Sequence, residues 1–106
     1  MEKSGSIVIL ITSTAEEAPK IANTLLTHRK VACVNIIPSV SSLFWWQDKI
    51  DSAQESLLII KTSARLLDEV VALVKEVHSY DVPEVIALPI IGGNQDYLKW
   101  LEAEVK

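Results

Sequence analysis

Residues 78–91 read H-S-Y-D-V-P-E-V-I-A-L-P-I-I, a polar corner that runs into a strand with apolar side chains on both faces. Pro83 fixes its own φ angle and pushes Val82 into an extended conformation, so the turn orients its neighbours reproducibly. The polar side chains of this corner are a candidate site, and they also suit a corner with a purely structural role. They are His78, Tyr80, Asp81 and Glu84.

Outward from this corner, the hydrophobic pattern predicts three more strands and three helices. The run at 7–12 is apolar on both faces, which is typical of a central strand. Pro19 removes a backbone donor near the start of the first helix or shifts that start. In chain order we predict a strand at 7–12, a helix at 15–28, a strand at 31–37 that is broken or bulged at Pro38 and resumes at 40–46, a strand at 50–62, a helix capped by Ser63, the fourth strand, and a short helix capped by Asn94.

Three local signals refine these boundaries. Residues 13–16 match a capping box, and residues 14–17 match it again one position later. The apolar positions of 40–46 are out of step for a period of two, which predicts a β-bulge near Ser41 and Ser42. Gln47 and Asp48 form the predicted hairpin turn.

The order βαββαβ followed by a helix is the ferredoxin-like α+β arrangement, here in a single domain over residues 1–106. The prolines support this topology independently. In it the second and fourth strands lie at the sheet edges, and proline is tolerated only at edges or bulges. Pro38 falls in the second strand and Pro89 in the fourth, whereas the two central strands contain no proline.

Composition excludes several classes of protein. With 106 residues and 49% apolar composition the chain has enough apolar surface for one packed core. Its net charge of −4 and its scattered basic residues argue against a nucleic-acid surface. The single cysteine, Cys33, excludes an internal disulfide and fits a reducing compartment. The apolar run at 7–11 is too short for a membrane span or a signal-peptide core, so we expect a cytoplasmic protein without a membrane partner.

The sheet has more apolar surface than one chain can cover. Two helices cover one face, but three of the strands are apolar on both faces, and the last helix can shield only part of the second face. Exposed apolar patches of this size mark interfaces. The hairpin also carries Phe44, Trp45 and Trp46, aromatic residues of the kind that interfaces favour. The sequence therefore predicts self-association.

Several motifs, in their order and spacing, resemble the CutA family of divalent-cation tolerance proteins. The resemblance implies a ferredoxin-like subunit in a tight homotrimer, an architecture similar to that of PII signalling proteins, and a link to copper and other divalent cations. It rests on A-C-V-N-I-I-P at 32–38, L-F-W-W-Q-D-K-I at 43–50, L-L-I-I-K-T at 57–62, H-S-Y-D-V-P-E at 78–84, I-A-L-P-I at 86–90 and G-N-Q-D-Y-L-K-W-L at 93–101.

The chain departs from the family pattern at three places. Where the family usually has H-P-Y-E at the corner, this chain has H-S-Y-D, so Ser79 replaces the proline. Asp48 stands where the family usually has a glycine after the hairpin tryptophan. Some members carry a cysteine near the end of the first strand, where this chain has Ile11. A metal site that uses that thiol cannot exist here.

The predicted metal ligands are His78, Tyr80 and Glu84, with Cys33 as a further candidate, since imidazole suits copper, zinc and nickel. Glu84 enters a buried strand in this prediction and must then find a partner. In the predicted topology Cys33 and His78 of one subunit lie at opposite ends of the sheet, so joint ligation needs two subunits. We expect specific metal binding to depend on His78 and its corner neighbours rather than on Cys33.

Each candidate also has a structural interpretation. Cys33 fits a small buried hydrophobic residue, and His78 at a helix C-terminus fits a group that complements the helix dipole. Trp45 and Trp46 fit interface anchors better than a platform for a ligand.

Three classes of function compete at this stage. The first is a trimeric metal-responsive protein. The second is a PII-like sensor that holds an anion or nucleotide between subunits, for which Gly92 and Gly93 before a helix N-terminus give only weak support. The third is an enzyme, but the sequence shows no pairing of a nucleophile with a base, so we expect no enzymatic activity.

Overall fold

The computed structural model describes residues 5–106, which form one four-stranded sheet and three α-helices. A short 3-10 turn at Ala64–Leu66 leads into the second helix. The elements are β1 (Ser6–Ser13), α1 (Ala18–Thr27), β2 (Cys33–Trp46), β3 (Lys49–Ser63), α2 (Leu67–Val77), β4 (Val85–Pro89) and α3 (Gln95–Glu104).

The strands lie in the order β2-β3-β1-β4, and every neighbouring pair is antiparallel. The predicted ferredoxin-like topology is therefore confirmed, including the edge positions of the two strands that contain proline. Pro89 is the last residue of β4. The register of β2 shifts between Ile37 and Val40, around Pro38. The break expected at Pro38 is therefore confirmed, because proline has no N–H to donate to the ladder. The bulge predicted at Ser41 and Ser42 is wrong, since the register runs without a shift from Val40 to Trp46.

Two helix starts also differ from the prediction. The first helix begins at Ala18 rather than at 15, with Pro19 in its first turn, where a missing N–H costs no helical hydrogen bond. The Thr14 hydroxyl accepts a hydrogen bond from the Glu17 N–H over 3.2 Å, which is one of the two bonds of the capping box predicted at 14–17 and lies in the turn before the helix. Ser63 makes no capping hydrogen bond, since the 3-10 turn separates it from α2.

One face of the sheet is covered by α1 and α2. Alternate residues of β1 and β3 point towards these helices, as expected for strands with a period of two. They meet apolar side chains spaced three and four apart on each helix. The side chains buried in this layer include Ile9, Ile11, Ile21, Leu25, Leu58, Ile60, Val70 and Val74.

The opposite face, which we call the open face, is only partly covered. The Ser6 hydroxyl donates to a Glu102 carboxylate oxygen over 2.7 Å and holds α3 across one end of this face. Leu101 and Val105 are buried there. Further along, the side chains of Ile86 and Leu88 on β4 remain 52% and 51% exposed. Apolar surface on the β4 side of the open face is therefore exposed.

The second and third strands continue beyond the helices as a long hairpin, and we call residues 40–54 the hairpin arm. The arm contributes to a chain that measures 44 × 25 × 24 Å. Gln47 and Asp48 both have positive φ angles, 51° and 63°, as the two central residues of a type I′ turn require. The predicted turn is confirmed, and Asp48 adopts the left-handed conformation that glycine usually supplies.

Among the described residues, no helix combines the length and the apolar composition that a membrane crossing requires.

Candidate functional site

His78 follows the last residue of α2 and lies buried beside the end of β1. Its Nε2 is 2.8 Å from the Thr12 carbonyl oxygen, and its Nδ1 is 3.1 Å from the Tyr80 backbone nitrogen. A carbonyl only accepts and an amide N–H only donates, so these partners assign the proton to Nε2. Both ring nitrogens are therefore already used in holding the corner together.

Tyr80 connects the corner to β3. Its hydroxyl donates a hydrogen bond to a Glu55 carboxylate oxygen over 2.8 Å, and its ring lies against the His78 ring with centroids 4.5 Å apart. Burial raises the pKa of Tyr80 to about 12, and the hydrogen bond and negative charge of Glu55, with the charge of Glu17, act in the same direction. The phenol is consequently a hydrogen-bond donor at neutral pH.

Ser79 connects the corner to the start of α1. The Glu17 carboxylate accepts hydrogen bonds from the Ser79 N–H over 3.1 Å and from the Ser79 hydroxyl over 2.8 Å. The Thr14 hydroxyl donates to the same carboxylate over 3.3 Å. A proline at 79 has no N–H to donate, so the departure from the family's usual corner creates this connection.

A groove of about 890 Å³ runs between the corner and the hairpin arm, and we call it the acidic groove. Its lining includes no lysine, arginine or histidine. The aromatic side chains that line it are Phe44, Trp45, Trp46 and Tyr80. The carboxylates that line it are Asp51, Glu55, Asp81 and Glu84.

Glu84 is not buried, contrary to the sequence-based expectation. The strand β4 begins at Val85, one residue later, and the Glu84 side chain is exposed at the edge of the groove. A solvated carboxylate needs no partner, so the expectation of one was wrong.

Cys33 lies at the other end of the sheet, as predicted. It is the first residue of β2 and pairs with Lys61, which in turn pairs with Val8 on β1. The His78 ring contacts Thr12, four residues further along β1, a separation of about 13 Å along the strand. The Cys33 sulfur is half-buried near the Lys61 Nζ, at 3.9 Å.

The four predicted ligands do not form a metal site within one chain. His78 and Tyr80 lie together, Glu84 is exposed nearby, and Cys33 is remote. Within residues 5–106 there is no group of three or more His, Cys, Asp or Glu side chains arranged to hold a metal ion. A metal at His78 would also have to replace one of its two hydrogen bonds.

Two residues of the site were missed from the sequence, Glu17 and Glu55. Glu55 lies inside a long strand that becomes buried within a few residues, and a charged residue in such a place needs a partner. That signal was available. The contact between Glu17 and Ser79 joins residues that are 62 positions apart in the chain, and no local sequence pattern predicts it.

Comparison with known proteins identifies the family. The family model described as "CutA1 divalent ion tolerance protein" matches residues 6–104. The chain is 50% identical over 98 residues to "Protein CutA 1, chloroplastic" of rice, covering 92% of this chain and 55% of that protein. It is 44% identical over 95 residues to the divalent-cation tolerance protein CutA of Thermus thermophilus, covering 89% of this chain and 92% of that protein. The chain belongs to the CutA1 divalent ion tolerance family.

The fold agrees with solved structures of this family. The crystal structure of rice CutA1 superposes with a TM-score of 0.94 at 45% identity, covering 98% of this chain and 96% of that one. The chain spans about half the length of the curated rice and Arabidopsis proteins, at 55% and 54%.

The prediction of a cytoplasmic protein is contradicted by these relatives. The rice and Arabidopsis proteins are named chloroplastic, and a matching structure from Archaeoglobus fulgidus is described as periplasmic. One cysteine and the lack of a long apolar run fit any of these compartments, so the sequence features gave no basis for choosing among them.

Proposed function

We propose that this protein acts as a homotrimer in the response to divalent cations. The open face carries this proposal, because it leaves apolar strand residues such as Ile86 and Leu88 half exposed. Apolar surface of this kind is stable in water when another protein surface covers it. The subunit number of three comes from the family resemblance.

The hairpin arm supports the same proposal. Trp45 is 74% exposed and Leu43 is 72% exposed, although both lie on a strand. Exposed tryptophans near the end of a rigid arm are well placed to anchor one subunit on another, since tryptophan is enriched among residues that dominate interface energies.

Divalent-cation binding, with copper as the first candidate, then requires ligands from more than one subunit. A single chain lacks a three-ligand cluster within residues 5–106, and Cys33 lies far from His78. The corner supplies exposed carboxylates, Asp81 and Glu84, beside the acidic groove. Where trimer formation brings the corner next to a neighbouring subunit, these groups and those of the neighbour complete a coordination shell.

We further propose a binding role without enzymatic activity. The Tyr80 hydroxyl remains protonated at neutral pH and is held by Glu55, so it offers no base or nucleophile. The acidic groove also argues against the alternative of a PII-like sensor for an anion or nucleotide, because its carboxylates repel negative charge.

Calorimetric titration of the purified apo protein with Cu(II), Zn(II) and ATP in parallel tests these proposals. We expect heat from the metals and none from the nucleotide; the reverse result favours the sensor. Because His78 holds the corner that carries Asp81 and Glu84, His78→Ala should remove the tight phase of copper binding, whereas Cys33→Ser should leave it largely intact. Copper affinity should fall as the pH is lowered, because metal competes with protons for its ligands.

Thermal unfolding of both variants separates loss of binding from loss of the fold. If folded His78→Ala and Cys33→Ser both bind copper as the wild type does, the corner is structural and the link to metals is indirect. If Cys33→Ser alone abolishes binding, the ligand assignment is wrong.

A further inference from the structure

Lys61 places a positive charge in the middle of the open face. It lies on the central strand β3, between Cys33 on β2 and Val8 on β1, and Val8 pairs in turn with Leu88 on β4. Residues that pair across a sheet share a face, so Lys61 lies in the same row as the half-exposed Leu88. A surface that covers the apolar open face must therefore also cover the Lys61 ammonium group.

Lys61 has no negatively charged partner in its own chain. Within residues 5–106 its Nζ donates to the Asn35 amide oxygen and lies 3.9 Å from the Cys33 sulfur, and it takes part in no ion pair. In a single chain this half-buried side chain still contacts water. A covered ammonium group with only neutral partners is strongly disfavoured, so the covering surface has to supply an anion.

Glu55 is the carboxylate that fits this requirement. It lies on the same face of β3 as Lys61, because the two residues are an even number of positions apart on one strand. Its side chain is buried, the Tyr80 hydroxyl donates to its Oε2, and its Oε1 makes no hydrogen bond within residues 5–106. The other carboxylates of the acidic groove are exposed to water and need no partner.

The two charged groups cannot meet within one chain. The extended strand between Lys61 and Glu55 separates their Cα atoms by about 20 Å, which is further than the two side chains can reach. A head-to-tail ring of subunits, by contrast, joins two different patches of the same surface, one from each neighbour. An unpaired cation and a buried anion at the two ends of one open face are complementary patches of the kind that such a ring requires.

We propose that Lys61 of each subunit forms an ion pair with Glu55 of the neighbouring subunit when the open faces are covered. This inference rests on the proposed homotrimer and adds to it a pair of residues that joins the subunits. The Tyr80 hydroxyl holds one oxygen of the carboxylate and leaves the other oxygen for the ammonium group. Each pair fixes the orientation of one subunit relative to the next.

A crystal structure of the wild-type assembly tests the ion pair directly. We expect the Lys61 Nζ of each subunit within about 4 Å of a carboxylate oxygen of Glu55 of the neighbouring subunit. A trimer in which Lys61 faces water or another carboxylate would overturn the inference and leave the proposed trimer intact. A wild-type chain that is monomeric in native mass spectrometry would contradict the proposed trimer, and the ion pair with it.

Sedimentation equilibrium over a dilution series gives an independent test. Lys61→Gln and Glu55→Gln each keep hydrogen-bonding groups but remove one charge. Each should raise the concentration at which the assembly dissociates at least about tenfold, because the remaining charge is left unpaired. The double variant should dissociate less readily than the product of the two single effects predicts. Lys75→Gln and Glu76→Gln, at exposed positions on α2, are matched controls and should assemble as the wild type does.

Circular dichroism of the four single variants separates loss of assembly from loss of the fold. If the effects of Lys61→Gln and Glu55→Gln simply multiply in the double variant, the two residues act independently and do not form a pair. Unchanged dissociation of either folded single variant would overturn the inference as well.

Discussion

The two halves of β3 show how differently one strand can be stabilised. In its second half Leu58 and Ile60 are completely buried under α1 and α2. In its first half, on the hairpin arm, Ile50 is 67% exposed and pairs with Trp45, which is 74% exposed. The covered half is satisfied within its own chain. The arm exposes apolar and aromatic side chains that a single chain leaves uncovered, and we therefore propose that folding and assembly depend on separate parts of the molecule.

Among the tests that compare the arm with the covered half of β3, replacing Trp45 and Trp46 together by alanine should have the largest effect. Truncation of large aromatic side chains in packed sites costs about 3–5 kcal/mol each. If the arm anchors a neighbouring subunit, that loss should appear as subunit dissociation at concentrations where the wild type stays assembled. Sedimentation equilibrium measures it, with Leu26→Ala on the outer side of α1 as a control.

Circular dichroism should show that the separated double variant is still folded, because the two tryptophans lie outside the helix-covered core. An unchanged dissociation profile would mean that the arm is solvated and serves another partner.

Leu58→Ala should instead weaken the covered half. Removal of a completely buried leucine side chain costs about 2–5 kcal/mol, and denaturant unfolding measures it. The matched substitution on the arm, Leu43→Ala, should change the unfolding free energy of the isolated subunit by no more than about 0.5 kcal/mol. Equal losses of unfolding free energy in Leu58→Ala and Leu43→Ala would contradict the distinction between the covered core and the arm.

Asn94→Ala probes the end of the open face that α3 covers. The Asn94 side chain accepts a hydrogen bond from the Asp96 N–H over 3.0 Å at the start of this helix. Loss of such a cap costs about 1 kcal/mol, measurable by chemical denaturation. Asn94→Ser, which keeps a side chain that can cap the helix, should restore most of the lost unfolding free energy. Asn23→Ala, at an exposed position inside α1, should not lower the unfolding free energy.

The smallest expected effect is the contribution of Tyr80 to stability, which changes only at high pH. The pKa of Tyr80 is raised in the folded state to about 12, above its ordinary value of about 10. The folded state therefore favours the protonated phenol, and this stabilisation is complete below pH 10 and lost as the pH rises through 12. In a Tyr97→Phe background, phenolate absorbance should show that the one remaining tyrosine, Tyr80, titrates near pH 12 rather than near pH 10. An ordinary titration midpoint would contradict the contact with Glu55.

The sequence predicted the topology well because strong physical constraints act on it. The element order βαββαβ predicted the strand order, and Pro38, Pro89 and the run at 7–12 supported it independently, because proline cannot donate to a central ladder and doubly apolar strands must be buried. The break at Pro38 was predicted correctly, but the bulge at Ser41 and Ser42 and the cap at Ser63 were predicted wrongly. Both depend on short-range backbone geometry, and several neighbouring residues satisfied the same pattern.

The candidate site was predicted less completely. The sequence placed His78 and Tyr80 in one corner, and the structure confirms that they lie together. It missed Glu55 and Glu17, because they reach the corner from other elements of the fold. It also treated Glu84 as buried, since the start of β4 was placed too early.

Native mass spectrometry of the wild-type chain at low micromolar concentration tests the central claim most directly. The open face and the exposed arm predict self-association, and with the subunit number that the family resemblance implies we expect one trimeric species with little monomer. The same sample should show the circular dichroism of a folded αβ protein. A monomer that is still fully folded would contradict the account, because its apolar open face would then be stable in water without a partner.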